Sequence, residues 1–173
     1  MSTILVNNIK DTGNNTLLTS DGSGNISGDL TNTPAFFVRL SSNQSMPSGA
    51  WTKVQFDTED WDTNDDYDNT TNYRFTPTIA GKYFFNYAAG VEGIDDSENV
   101  RLQIYLNGDR YRYGTAQQIS AGANADTSST GSTQINMNGS TDYIEIYLYH
   151  NEGGARDLIN NQSFLSGFRI IGA

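Results

Sequence analysis

The stretch Tyr73-Arg-Phe-Thr-Pro-Thr-Ile-Ala-Gly-Lys-Tyr-Phe-Phe-Asn-Tyr87 decides the fold of this chain. Pro77 lacks a backbone donor and Gly81 relaxes the backbone, so the segment between them predicts the turn of a hairpin. Beyond the turn, aromatic residues recur at alternate positions, at Tyr83, Phe85 and Tyr87. This is the period of a strand with one aromatic face, and we expect that face to organise the hydrophobic core.

Composition narrows the class of protein. At 173 residues, the chain suits one domain with a short appendage, and its many Gly, Asn, Thr, Ser and Tyr residues are typical of β proteins rich in turns. It contains no cysteine, which excludes disulfides, thiolate catalysis and cysteine-ligated zinc. The absence of disulfides favours a microbial or viral chain over a secreted eukaryotic one.

The charge argues against one class of partner. The formal net charge is -10 and the isoelectric point is about 4.3, whereas nucleic-acid binding needs clustered Lys and Arg. No apolar run is as long as a membrane span, so membrane insertion is not expected. The run Ile4-Leu-Val6 is too short for the core of a signal peptide, and we expect no export by a cleaved signal.

Short alternating segments separated by turns continue to the C terminus, without an amphipathic helix pattern. The predicted strands span residues 35–40, 52–56, 74–76, 82–91, 100–106, 110–113, 133–138, 143–149 and 164–171. Strands without crossover helices predict an all-β sandwich or barrel.

The connections between these strands alternate in length. Short turns are predicted at residues 77–81, 107–109 and 138–141, and long loops at 90–99, 117–130 and 151–162. If successive strands run antiparallel, the long loops meet at one end, which we call the tip, and the short turns and the C terminus meet at the other end, the base. Residues 57–72 are predicted to form a polar, acidic loop.

Several segments between Pro34 and Ala173 occur in the order of a known family. They are Ala35-Phe-Phe-Val38, Val54-Gln-Phe-Asp57, Tyr73-Arg-Phe-Thr-Pro77, Gly81-Lys-Tyr-Phe-Phe85, residues 100–108, Asp142-Tyr-Ile-Glu-Ile146 and Ser163-Phe-Leu-Ser-Gly-Phe168. This part of the chain resembles the jelly-roll head of complement C1q and its relatives, which also resemble tumour necrosis factor ligands. The resemblance implies an all-β, ten-stranded, two-sheet antiparallel jelly-roll sandwich that forms a homotrimer, binds partners and is not an enzyme.

Residues 1–33 precede the predicted head, which spans 34–173, and no collagen-like stalk is present. The aliphatic residues of this segment are too few for a core, so they predict a short extended arm that docks on a partner or a sister subunit. They are Ile4, Val6, Ile9, Leu17 and Leu18. A frayed tail is the alternative.

The segments Ser2–Asp11 and Asp21–Gly24 resemble the N-terminal part of bacteriophage tail-fibre and virion structural proteins. This resemblance implies a virion component made in the host cytoplasm, either a fibre or knob protein or a capsid decoration protein. The alternatives are a soluble bacterial or animal recognition module and a polysaccharide-cleaving tail enzyme.

Four tyrosines predict a subunit interface. Tyr105, Tyr143, Tyr147 and Tyr149 lie on the strand faces opposite the aliphatic rows. Tyrosine is enriched at interfaces because it buries area while keeping a hydroxyl for hydrogen bonds. The alternative is a second, partly buried face within one subunit.

Polar residues of the long loops predict a binding surface at the tip. They are Asp95, Asp96, Gln118, Asn124, Asp126, Glu152, Arg156 and Asn160. These side chains could hydrogen-bond a host glycan or protein, with three copies adding avidity.

Two further groups raise the questions of metal binding and catalysis. Asp62, Asp65, Asp66 and Asp68 supply oxygen ligands of the kind calcium prefers, although they do not follow the EF-hand pattern, and a solvated acidic loop is the alternative. His150 is the single histidine and lacks a Gly-x-Ser-x-Gly partner, so it is predicted to be a surface residue and no catalytic residue is expected.

Overall fold

The computed structural model describes residues 7–24, 26–28, 34–95, 97–118 and 125–170. Among these residues, no helix has the length and apolar character needed to span a membrane. The strands are β1 Asn8–Lys10, β2 Thr16–Ser20, β3 Ile26–Gly28, β4 Ala35–Arg39, β5 Gln44–Met46, β6 Thr52–Lys53, β7 Thr58–Asp62, β8 Tyr67–Asp68, β9 Arg74–Phe75, β10 Gly81–Ile94, β11 Asn99–Leu106, β12 Asp109–Gln118, β13 Ala125–Met137, β14 Ile144–His150 and β15 Arg156–Arg169.

Two antiparallel sheets form the body of the molecule. The first sheet has the order β13-β10-β15-β4-β7 with β5 beside β15, and the second has the order β12-β11-β14-β9-β8 with β6 beside β14. The predicted all-β, two-sheet jelly roll is confirmed. Each sheet contains six strands instead of the five that a ten-stranded fold implies, because residues 44–68 contribute several very short strands.

The hydrophobic core lies between the two sheets. The first sheet contributes the predicted aromatic row of Tyr83, Phe85 and Tyr87, and the second contributes aliphatic rows from β11 and β14. On β11, Leu102 and Ile104 face this core and are fully buried. Burying large side chains from both sheets is the main favourable term in the stability of such a sandwich.

The stretch from Tyr73 to Tyr87 was predicted to form a hairpin. In the structure it instead crosses from one sheet to the other. Strand β9 pairs with β8 and β14 in the second sheet, whereas β10 belongs to the first sheet. The crossing places the Phe75 ring opposite the first sheet, 4.3 Å from the ring centroid of Phe36 and 5.9 Å from that of Phe85. The Tyr83 hydroxyl donates a hydrogen bond of 2.6 Å to the Ile79 carbonyl within the crossing. The turn prediction was therefore right and the pairing was wrong, because strands of a hairpin would share one sheet.

Four predicted loops are partly strands. Residues 57–72 contain β7 and β8, and residues 90–99 are strand up to Ile94. Residues 117–130 are strand up to Gln118 and again from Ala125, and 151–162 is a loop only to residue 155. The cause is the length of β10, which has 14 residues and pairs with β13 from Gly81 to Ile94. A long central strand keeps its neighbours extended by backbone hydrogen bonds, even where their side chains are small and polar.

The connections lie at opposite ends, as the alternation of their lengths predicted. The Asn107–Gly108 turn has φ angles of 55° and 82°, the left-handed conformation of a tight hairpin turn. It lies at the base with the crossing and the turn that begins at Asn138, while the tip contains the loop of residues 151–155. Residues 96 and 119–124 of the tip lie outside the described ranges.

The N-terminal strands β1, β2 and β3 form a separate three-stranded antiparallel sheet. The segment predicted as an extended arm is thus folded back on itself twice between Asn8 and Gly28. Residues 29–33 lie outside the described ranges, and the domain boundary between residues 33 and 34 stays a prediction.

Tyr87 fills the gap between the sheets below two glycines of β12 and β13. A Cβ atom at Gly131 would lie 2.4 Å from Tyr87 Cζ, and one at Gly114 would lie 3.2 Å from Tyr87 Cε2. Burial raises the pKa of Tyr87 to about 12. The small residues of β13 therefore provide room for this ring, which is why that strand resembles a loop in sequence.

A Gly131→Ala substitution is expected to lower the free energy of unfolding by about 1–3 kcal/mol, because the new methyl group overlaps the Tyr87 ring. Urea unfolding would measure the change. The matched control is Gly153→Ala in a tip loop, where no atom lies within 4 Å of the added methyl group, and we expect a change within about 0.5 kcal/mol. Equal stability of Gly131→Ala and the unmodified chain would contradict the packing of Tyr87.

Candidate functional site

The tip carries a polar cleft at the ends of three neighbouring strands of the first sheet. The cleft measures about 450 Å³. Its lining residues are Glu92, Gly93, Asp126, Ala155, Arg156 and Asp157. Three carboxylates thus surround one guanidinium group, and the cleft presents mainly hydrogen-bonding groups.

An ion pair beneath this cleft joins the connections of the tip. Arg156 Nη2 lies 3.0 Å from Glu152 Oε1, and Arg156 Nε donates a hydrogen bond of 2.6 Å to the Gly93 carbonyl. The other carboxylate oxygen of Glu152 accepts a hydrogen bond of 2.9 Å from the Asp95 amide. That hydrogen bond, with a second from the Gly153 amide and the charge of Arg156, lowers the pKa of Glu152 below its usual value. Glu152 is therefore a buried support of the tip, and Arg156 is partly engaged in the same role.

The other predicted tip residues are dispersed. Asp126 reaches the cleft and accepts a hydrogen bond of 3.2 Å from the Gly93 amide. Gln118 donates to the Ser97 carbonyl, and Asn160 donates to the Ser41 carbonyl on a different side of β15. Asp96 and Asn124 lie outside the described residues.

Sequence reasoning missed two residues of the cleft, Glu92 and Asp157. Their neighbours Val91 and Leu158 face each other across β10 and β15, which places Glu92 and Asp157 side by side. Strand pairing is the only signal for this proximity, and it cannot be read from the two segments separately.

His150 is fully buried, so the prediction of a surface histidine was wrong. Its Nε2 atom lies 3.0 Å from the Met46 carbonyl oxygen, and its Nδ1 atom has no hydrogen-bond partner among the described residues. The cause is the segment of residues 41–50, which covers the end of β14 through a hydrogen bond of 2.7 Å from the Gly49 amide to the His150 carbonyl.

The carboxylates predicted as calcium ligands do not converge. Within the described ranges, no group of three or more Asp, Glu or His side chains could hold a metal ion. Asp68 instead accepts hydrogen bonds from the amides of Thr70, Thr71 and Asn72, led by that of Thr71, and these hold its pKa well below the usual value.

The other members of the predicted calcium site are likewise placed by the local fold and not around a common centre. Asp62 accepts a hydrogen bond of 2.7 Å from the Tyr67 amide. Asp66 is buried, which raises its pKa, and it accepts a hydrogen bond from the Thr78 amide. Asp65 occupies a left-handed turn position, with a φ of 54°. The acidic segment stabilises its own backbone, and the geometry does not support the predicted metal site.

The predicted tyrosines lie on the outward side of the second sheet, which we call the tyrosine face. The ring centroids of Tyr105 and Tyr147 are 4.1 Å apart, and that of Trp51 lies 5.6 Å from Tyr149. Tyr143 lies closer to the base, with the Arg74 guanidinium 4.3 Å from its ring centroid. The structure thus brings three of the four tyrosines together, where they cover one another and Trp51. Their role as a subunit interface stays a prediction.

A second aromatic surface, which sequence reasoning missed, covers the outward side of the first sheet. We call it the phenylalanine face, and it consists of Phe37, Trp61, Phe84, Phe164 and Phe168. Phe37 stacks on Phe164, and Phe84 packs on Phe168, each pair with centroids 5.5 Å apart. Phe168 is 38% exposed and Trp61 is 49% exposed. The sequence contained one signal for this surface, namely Phe84, which alternates along β10 with residues of the core.

Comparison with known proteins identifies the fold on which these surfaces lie. The family model described as "C1q domain" matches residues 35–170. No curated protein matches the chain. A solved structure of Eiger TNF from S. frugiperda is similar, with 11% identity, a TM-score of 0.58, and coverage of 80% of this chain and 93% of that one. Murine APRIL at pH 8.0 is similar, with 9% identity, a TM-score of 0.56, and coverage of 79% and 98%.

Glu152→Gln is expected to loosen the tip, because the ion pair with Arg156 is lost and the amides of Asp95 and Gly153 keep a weaker acceptor. Hydrogen exchange of these two amides should be several-fold faster than in the unmodified chain. The control is Glu92→Gln, which removes an exposed carboxylate of the same cleft.

The effect of Glu152→Gln is expected to depend on pH. Because the folded chain lowers the pKa of Glu152, the stabilisation by its carboxylate is complete above the ordinary pKa, about 4.3, and disappears as the pH falls through the lower folded pKa. The difference between variant and unmodified chain should therefore shrink on acidification. A difference that grows below that pH would contradict the assignment.

Proposed function

Because the chain belongs to the C1q domain family, we propose that it is a non-enzymatic, homotrimeric recognition module carried by a bacteriophage particle. C1q-like and TNF-like domains are typically binding modules without catalysis, and they form homotrimers that bind other proteins.

We infer that the phenylalanine face forms the subunit contact of the trimer. Its aromatic side chains lie on the outward side of β7, β4, β15 and β10, and Trp61 and Phe168 stay substantially exposed in the single chain. A patch of this kind on a soluble protein marks an interaction surface. Burying it between subunits removes apolar surface from water at the cost of few polar groups.

Three-fold symmetry requires that this patch meet a different surface of the next subunit. Strand β13 supplies that surface, because it forms the edge of the first sheet and projects polar side chains outward. Those of Thr130 and Ser132 are short and exposed, and they pair with outward positions of β10. Short side chains allow close approach of large rings, so the edge of one subunit fits against the phenylalanine face of the next.

The tyrosine face is the alternative subunit contact. Its rings already cover one another and Trp51, and Tyr105 is buried within the single chain. The gain from further burial is therefore smaller there than on the phenylalanine face. We favour the phenylalanine face for the trimer.

The three tips of such a trimer point in the same direction. Each would present one cleft with Glu92, Asp126 and Arg156 to a host glycan, a host protein or another virion protein. When one trimer makes three weak contacts at once, its overall affinity rises although no single contact becomes stronger. The localisation that follows is the virion, after synthesis in the host cytoplasm.

The N-terminal sheet supports the docking arm of a virion protein. Ile9 is 48% exposed and Leu17 is 49% exposed, while Leu18 is half-buried. Ile4 and Val6 lie outside the described residues. A three-stranded sheet of such short strands gains stability when its apolar side chains pack against another surface. We infer that this surface is another virion protein.

Two alternatives remain for the function. A soluble bacterial or animal recognition module would use the same head without a particle. A polysaccharide-cleaving tail enzyme would use paired carboxylates, and those of the tip cleft are its candidates. Release of sugars from host envelope would support the enzyme, and detection in purified particles would support the virion protein.

Phe84→Asp combined with Phe168→Asp is expected to convert the trimer to monomers, because two charges would be buried in the subunit contact. Light scattering at micromolar concentration would measure the mass. The matched control is Tyr149→Asp on the tyrosine face, which we expect to stay trimeric. Monomers for the control and trimers for the double variant would favour the tyrosine interface instead.

Deletion of residues 1–32 is expected to leave a folded trimer that no longer joins the particle, because the head has its own core. Quantification of the protein in purified virions tests attachment, and circular dichroism confirms folding. Incorporation at the normal level after this deletion would refute the docking arm, while the head could still be a trimer.

A further inference from the structure

The tyrosine face has the opposite charge balance to the rest of the molecule. The chain has 10 Lys and Arg residues and 20 Asp and Glu residues. Four of the cations approach this one face, against the carboxylates of Glu145 and Asp68. They are Lys53, Arg74, Arg101 and Arg110. A local excess of cations on an acidic protein favours a negatively charged ligand at this face.

The cations are held in place by the aromatic rings. The guanidinium carbon of Arg110 lies 5.0 Å from the Trp51 ring centroid, and that of Arg101 lies 5.8 Å from the Tyr149 ring centroid. A guanidinium group stacked on a ring keeps N–H groups at its edge for planar oxygen acceptors. Because less side-chain freedom is lost on binding, such pre-positioned groups bind anions more tightly than mobile ones.

The two carboxylates of the face are already neutralised or occupied. Glu145 is buried, with its Oε1 2.5 Å from Lys53 Nζ and its Oε2 3.3 Å from the Tyr147 hydroxyl. Asp68 pairs with Arg74 in strand register and accepts hydrogen bonds from the amides of its own turn. Arg101 and Arg110 are exposed, and Arg110 Nε donates a hydrogen bond of 3.1 Å to the Tyr105 hydroxyl.

An unsatisfied polar group lies at the centre of the face. Gln103 is 1% exposed, and its Oε1 atom has no hydrogen-bond partner among the described residues. It lies directly opposite Tyr147 in strand register, between the positions of Arg101 and Tyr105. A buried acceptor without a donor is costly, and a shift of the covering side chains that lets a ligand hydroxyl reach it would remove that cost.

We propose that the tyrosine face binds a carboxylated polysaccharide. Carboxylates of the polymer pair with Arg101, Arg110 and Arg74, and its apolar C–H faces lie on Trp51 and Tyr149 while its hydroxyls meet the tyrosine hydroxyls. The cations span the width from β12 to β6, about 14 Å at the usual strand spacing, so the face fits a polymer segment more closely than a single sugar.

A nucleic acid fits the face less well. Its bases need bare ring faces for stacking, and here the tilted rings of Tyr105 and Tyr147 pack against each other. The net charge of -10 also repels a polymer with closely spaced phosphates. Since the face belongs to the single chain and is not the sheet proposed for the trimer, this binding is independent of the subunit contact.

The test uses the full chain with polygalacturonate as the carboxylated probe, and calorimetry or surface-based binding as the measurement. Dextran is the neutral control, and oligothymidylate and polyglutamate represent other polyanions. Arg101→Gln should weaken polygalacturonate binding roughly tenfold, the effect of one lost charge-assisted hydrogen bond, and Arg74→Gln in the same chain should weaken it further. The matched control is Lys82→Gln, which removes one exposed charge from β10 on the first sheet and should leave binding unchanged.

Other outcomes overturn the proposal. No binding of polygalacturonate, equal weakening by Lys82→Gln, or tighter binding of oligothymidylate or polyglutamate each contradicts a carboxylated polysaccharide at this face. Hydrogen exchange with polygalacturonate should protect amides of β11 and β14, and protection confined to the tip would also contradict it. The mass of each variant is measured in parallel, so a failed trimer and a failed glycan site are distinguished.

Discussion

The structure depends on an aromatic stack that joins the two sheets near the base. Phe36 and Phe85 extend from the first sheet, and Phe75 extends from the second to pack against both. Tyr83 packs against the edge of the Phe75 ring and closes the crossing with its hydroxyl. Because these rings can meet only if the chain changes sheets between Phe75 and Tyr83, the stack sets the topology at this point, and the long strand that follows then aligns its neighbours.

The sandwich that results has two outward faces with different chemistry. The first sheet presents phenylalanine and tryptophan with few charges, while the second presents tyrosine and tryptophan beneath arginines. Side chains alternate along every strand, so each outward face is the necessary companion of a buried row. Subunit contact suits the apolar face, and a polar ligand suits the cationic one. The tip is a third surface, positioned by the ion pair between Glu152 and Arg156.

Periodicity predicted the strands and the sides on which their residues lie, because alternation is a local property. It correctly placed Tyr83, Phe85 and Tyr87 in the core, and Tyr105, Tyr147 and Tyr149 outside it. It failed where distant segments decide the environment. His150 is buried by the segment of residues 41–50, and the Ser- and Thr-rich strand β13 is kept extended by β10. In the acidic segment predicted as a metal site, Asp62 and Asp68 instead accept hydrogen bonds from nearby backbone amides.

The sequence alone determined the all-β class, the two-residue alternation, the tight turns and the resemblance to C1q heads, since each depends on residues close together in the chain. Only the tertiary structure decided that Tyr73–Tyr87 crosses between sheets, that Glu92 and Asp157 share one cleft, and that five aromatic residues from four strands form a single outward face. These facts depend on strand order and register, and shifting a strand by one residue would exchange its buried and exposed sides. Long-range pairing therefore decides which surfaces are available for function.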